Sequence, residues 1–148
     1  MSHVRTQIRD AVADAMLSIS GIGTRVFRTR VYPMDKESLP GICVYADSES
    51  SELTTIGASA SYVRTLSVQI EVYVRGSTDV DETLDGYSVS VEENMATDTT
   101  LAGLVLQTVL SSTEIDIVGG DSEKPVGVLK LSYDMTYRTN QADPTAVI

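Results

Sequence analysis

From Leu66 onward the chain alternates apolar and polar residues. Leu66, Val68, Ile70, Val72 and Val74 fall on one side, with Ser67, Gln69, Glu71, Tyr73 and Arg75 on the other. A period of two sends successive side chains to opposite faces, so Tyr62 to Arg75 reads as a long, half-buried strand. Gly76-Ser77-Thr78 breaks the pattern, and the spacing then changes. Val80, Leu84, Tyr87, Val91 and Met95 recur at intervals of three or four, the apolar stripe of a helix. Asp81, Glu82, Asp85, Glu92 and Glu93 crowd the rest of that helix.

The same reading extends to both ends. Val4, Ile8, Val12, Ala15 and Ile19 form the stripe of an opening helix from about Ser2 to Ser18, with Arg5, Arg9, Asp10 and Asp14 left to solvent. Gly21-Ile22-Gly23 ends it, since glycine accepts the left-handed backbone that helix C-termini often need. Thr24 to Tyr32 reads as a first strand, with Phe27 and Val31 on one face and Arg28 and Arg30 on the other. Ile42 to Ala46 reads as a short second strand. Residues 47–61 are rich in small polar side chains and read as an extended loop that is mobile in the free subunit and ordered on assembly, anchored by Leu53 and Ile56.

The acidic helix should begin near Thr78, where Thr78 and Asp81 have capping-box spacing and Asp79 and Asp81 place negative charge in the first turn. Asp98 or Thr99 is placed to cap a short further helix through Leu101, Leu104 and Val105. A strand follows at Thr113 to Val118, with a turn at Gly119-Gly120-Asp121. The last strand, Val126 to Arg138, carries Leu129, Leu131, Tyr133, Met135 and Tyr137 on one face. Residues 139–148 read as a loose tail. The expected class is α+β: a mixed, mainly antiparallel sheet of about four to five strands packed by two to three helices, in one domain spanning 1–148.

Charge narrows the function. The chain carries a formal net charge of −10, and residues 77–103 hold seven acids and no base. Gripping nucleic acid needs clustered Lys and Arg, so this is a poor nucleic-acid binder. No run approaches the ~20 apolar residues of a membrane span, and Asp10 and Asp14 interrupt any signal-peptide core. One cysteine, Cys43, precludes an internal disulfide, and its apolar neighbours predict a buried thiol. The one histidine, His3, falls in a frayed first turn, which leaves no histidine-based triad or multi-histidine metal site. The paired carboxylates of the acidic helix face water, where tuning them for acid–base work is difficult. Asp47, Glu49 and Glu52 lack the spacing of a calcium loop. The reading is a non-enzyme with no cofactor or metal, working through its surfaces.

Several strings then point to a family. Ile8-Arg9-Asp10-Ala11-Val12 stands on the opening helix, Arg25-Val26-Phe27-Arg28-Thr29-Arg30-Val31-Tyr32-Pro33 on the first strand, and Leu39-Pro40-Gly41-Ile42-Cys43-Val44-Tyr45 on the second. Glu71-Val72-Tyr73-Val74-Arg75 and Leu131-Ser132-Tyr133-Asp134-Met135-Thr136-Tyr137-Arg138 continue the series. In these strings and in element order the chain resembles the tail terminators of long-tailed bacteriophages, the class of the minor tail protein that caps the phage lambda tail tube. The strings are packing patterns, so no residue role transfers with them. The resemblance implies a virion protein at the head-proximal end of the tail, made in the host cytoplasm. It implies a hexameric ring that ends tube polymerisation and meets the tail-tube protein on one side and a head-completion or neck protein on the other. DNA would pass through the ring without specific binding. Another neck or tail-completion ring protein, or a non-viral soluble binding module, would share this composition.

A closed ring needs two different, complementary patches on each subunit. Arg28 and Arg30 offer one, and the acids Asp79, Asp81, Glu82, Asp85, Glu92 and Glu93 offer the other. Leu53 and Ile56 are the candidate apolar anchors.

Overall fold

The computed structural model describes residues 1–29, 39–54, 56–57, 60–76, 78–118 and 126–148. In chain order the elements are α1 (Val4–Met16), β1 (Val26–Phe27), β2 (Gly41–Leu53), β3 (Ser61–Arg75), α2 (Val80–Thr97), β4 (Gln107–Val118), β5 (Val126–Asn140) and β6 (Asp143–Val147). The architecture is α+β: among the described residues, two helices on a mixed, mostly antiparallel sheet of six strands, one more than the upper end of the expected range.

The two most regular alternating segments form the middle of that sheet. β3 and β5 pair antiparallel from Ser61 opposite Asn140 to Arg75 opposite Val126. Because directly opposed residues share a face, Leu66, Val68, Ile70 and Val72 line up with Met135, Tyr133, Leu131 and Leu129. All eight are buried, with Ile42 and Val44 of β2 beside them and Val4, Ile8, Val12, Leu84, Val91 and Met95 of the helices above. The helix layer thus covers one face. The opposite face holds a smaller cluster of Cys43, Tyr45 and Tyr73, packed by Phe27, Leu39, Val126 and Val128.

The strand order is β1-β2-β3-β5-β4, with β1 and β4 at the two ends. β6 joins β5 near Thr139 and Asn140, beyond the stretch that β4 occupies between Val126 and Thr136. Residues 139–148 are therefore mostly strand rather than the expected loose tail. The missed signal is Pro144: it cannot donate to a ladder, but an edge strand tolerates it.

Other boundaries also move. β2 runs on to Leu53, so the expected loop at 47–61 shrinks to 54–60. Residues 48–53 pair with 62–67 although all but Glu49 are exposed, and a strand that is polar on both faces shows no apolar alternation. β1 keeps only Val26–Phe27, parallel to Ile42 and Cys43, and the chain leaves the sheet before Arg28. Residues 30–32 of that expected strand, and the expected turn at Gly119-Gly120-Asp121, lie outside the described residues.

The expected capping box is not formed: Asp79 is the N-cap of α2 but makes no side-chain capping bond. Its carbonyl accepts from Thr83 N and Thr83 Oγ1 at 3.1 and 3.2 Å. The expected third helix is instead a left-handed turn, with φ of 50°, 58° and 87° at Leu101, Ala102 and Gly103. Asp98 does cap it, accepting from Thr100 N at 3.2 Å and Ala102 N at 2.8 Å. Those donors stabilise the carboxylate and hold its pKa below the ordinary value.

Candidate assembly surfaces

The sequence-derived candidates separate into three places: the far end of the β2–β3 hairpin, the outer face of α2, and the corner where α1 meets β1. At the hairpin, a register shift between Ala46 and Ser48 inserts one residue into β2. A one-residue slip exchanges faces, so Glu49, opposite Leu66, now faces the helix side. There it meets a polar cluster. Arg5 of α1 approaches Glu49 Oε2 at 2.6 Å and Arg64 of β3 approaches it at 3.4 Å, while the Tyr137 hydroxyl donates to Glu49 Oε1. Arg64 Nε also donates to Thr139 Oγ1 at 3.1 Å. The Glu49 and Arg64 side chains are only 10% and 11% exposed, so this is a nearly dry ionic joint. Burial and the neighbouring carboxylate push the Tyr137 hydroxyl pKa upward, keeping it a proton donor.

His3 adds to this joint instead of fraying. It is the N-cap of α1, and its Nδ1 accepts from Arg5 N at 3.1 Å. Burial, then Arg5 and Arg64, lower its pKa, which keeps the capping nitrogen unprotonated. Gln7 of the same helix donates to Thr145 O of β6 at 2.8 Å. The first two turns of α1 thus tie β2, β3, β5 and β6 together. Beyond this joint Leu53 is 46% exposed at the end of β2, and Ile56 is 97% exposed in the connection to β3.

On α2 the buried positions are Val80, Leu84, Val91 and Met95, with Tyr87 half-buried. Asp79, Asp81, Glu82, Asp85, Glu92 and Glu93 are all exposed. Glu92 accepts from Ser88 Oγ at 2.8 Å. It also faces Tyr133, whose hydroxyl pKa is pushed up to about 12, by burial first and Glu92 second. The acids form one outward band, as the spacing implied.

Arg28 does not lie across from that band in the same subunit. Its Nη2 meets Asp14 Oδ1 at 2.5 Å and its Nε lies 3.7 Å from Asp10 Oδ1, both on α1. Half of its side chain remains exposed. Arg30 lies outside the described residues. Nearby, Arg25 donates to Pro40 O at 2.7 Å and Gly21 O at 2.8 Å, whereas the buried Arg9 Nε has no hydrogen-bond partner among the described residues.

A groove between α2 and β4 is lined by Glu92, Met95, Ala96, Thr108, Leu110 and Tyr133. Among the described residues, no three His, Cys, Asp or Glu side chains converge on a metal-sized site, and no helix is long and apolar enough to cross a membrane. The Glu49 joint was not visible in the sequence, because only the register shift turns that carboxylate inward. Of β4, Thr113 to Val118 was readable as strand, whereas Gln107 to Ser112 and the exposure of its apolar residues were not.

The model of the family described as phage minor tail protein U matches residues 3–137, and the chain belongs to that family. It is a phage tail structural protein. A chain from the virion of a native gene transfer agent particle is similar, at 12% identity and a TM-score of 0.47, over 89% of this chain and 95% of that one. No curated protein matches.

Proposed function

We propose that this protein is the tail terminator of a long-tailed phage. Six copies close into a ring on the end of the tail tube, stop its polymerisation and offer the opposite surface to a head-completion or neck protein. The observation that carries this reading is the match to the minor tail protein family across residues 3–137. The protein then resides at the head-proximal end of the virion tail and acts without catalysis.

The surfaces fit the role. The hairpin end with Leu53 and Ile56 offers apolar anchors to a neighbour or to the tube. Six chains of −10 each gather about −60 formal charges around a channel that DNA crosses, which disfavours holding polyanions. Acids of α2 line that channel or meet Arg28 and Arg30 of the adjacent copy. A guanidinium carries five N–H donors, so Arg28 can keep Asp14 and still bond a second carboxylate.

The test is capping. Purified protein added to polymerising tail-tube protein should arrest growth and leave short tubes with density on one end. Tubes that grow to the same length with or without it would overturn the assignment.

A further inference from the structure

The two ends of the sheet differ in a way that fits one end to the other. β4 is the terminal strand on one side, twelve residues long, with no strand on its outer edge among the described residues. α2 lies over β3 and β5 rather than over β4. The helix-side row of β4 is therefore uncovered: Leu110, Ile115 and Ile117 are 36%, 49% and 45% exposed. They stand opposite Tyr133, Leu129 and Gly127 of β5, so they continue the core face out into solvent. Glu114 and Asp116 alternate with them, and Glu92 borders the adjoining groove.

A long edge strand with an apolar row is an open template for pairing, which natural sheets cover or charge. At the other end, β1 is two residues long, and Arg28, half exposed, stands just past it. Arg9, whose buried Nε has no hydrogen-bond partner among the described residues, lies on α1, which packs there with Asp10 and Asp14, the carboxylates that Arg28 meets. One end is thus apolar and acidic, and the other presents a half-exposed guanidinium with N–H donors to spare beyond Asp10 and Asp14.

We propose that the β4 end of one copy docks against the β1 end of the next, Arg28 included, and that this is the lateral contact of the ring. The occupant is a second copy of this chain, because the half-exposed guanidinium that can meet the acids beside β4 lies at the opposite end of the same sheet. Such a head-to-tail contact uses two different patches and can close into a ring. The proposal rests on the ring reading above.

The test uses two full-length variants. Ile115→Lys with Ile117→Lys spoils the β4 end, and Arg28→Glu spoils the β1 end. Circular dichroism and thermal melting first establish that each is folded; Arg28→Ser replaces the second should Arg28→Glu fail to fold. Native mass measurement, alone and on tail-tube ends, then reads assembly. The expected result is closed rings for wild type, none for either variant, and heterodimers only when the β4 variant is mixed with Arg28→Ser, since one good contact remains between them and no Lys–Glu pair can repair the other. Variants that still form rings would overturn the β4 contact and leave the terminator reading intact. So would a β4 variant that forms rings but no longer binds tube, which would give this edge to the tube protein. Wild type that forms no closed assembly even on tube would overturn both.

Discussion

Gly127 shows how a single atom can set the distance between a helix and a sheet. A Cβ built there would lie 2.5 Å from Val80 Cγ2, 3.2 Å from Val74 Cγ2 and 3.3 Å from Leu84 Cδ1. The first turn of α2 rests on β5 only because that position has no side chain. Gly127→Ala should therefore cost about 1–3 kcal/mol through overpacking, read as a lower denaturant midpoint. An unchanged midpoint would mean that α2 shifts without penalty. The Glu49 joint predicts a loss of similar size from a different cause. Tyr137→Phe removes a donor from a nearly dry carboxylate and should cost about 1.5–3 kcal/mol, the range for hydrogen bonds to charged groups; equal unfolding free energies would contradict the joint. His3 predicts a pH effect. Its folded pKa is lowered below the ordinary value of 6.5, so as pH falls past 6.5 the unfolded chain takes up the proton first, and folding stability declines. Its charged neighbours Arg5 and Arg64 reinforce that direction and Glu49 opposes it. His3→Asn, which can still cap, should flatten the slope from neutral pH to about 5.5. A slope identical to wild type would assign it to other groups.

At the scale of elements, the sequence was readable where one face is apolar and the other polar. The stripes of α1 and α2 and the alternation of β3 and β5 follow directly from that asymmetry. It failed where both faces are alike. Residues 48–53 are strand without alternation, and Asp143-Pro144 hides an edge strand behind a turn-like dipeptide. The left-handed turn at Leu101 and Ala102 reads as helix from its apolar spacing alone, because spacing carries no handedness. Of the candidate site, the acid band of α2 could be read from the helical period. The own-chain partners of Arg28 could not, since they depend on how α1 packs beside β1. The hairpin end makes a prediction of its own. With Leu53 and Ile56 exposed in the subunit, amide exchange near Thr54 and Ile56 should slow when the protein binds tube. Equal protection in free and bound protein would show that the hairpin makes no assembly contact.

For the whole molecule, the sheet's unlike ends and its acidic helix gain meaning only in a repeating assembly. A closed ring would bury the exposed edge of β4 and set the helical acids near a passage for DNA. Exposed ion pairs contribute only ~0–1 kcal/mol each, so the apolar row would supply most of the attraction between copies, while a reversed charge at Arg28 would act once at each contact around the ring. On the proposed function, the tube end would provide the template on which these weak contacts close. The most direct measurement is therefore the mass of this protein bound per end of purified tail tube. Six copies per end is the predicted result. A single copy per end, or no binding at tube ends, would contradict the account.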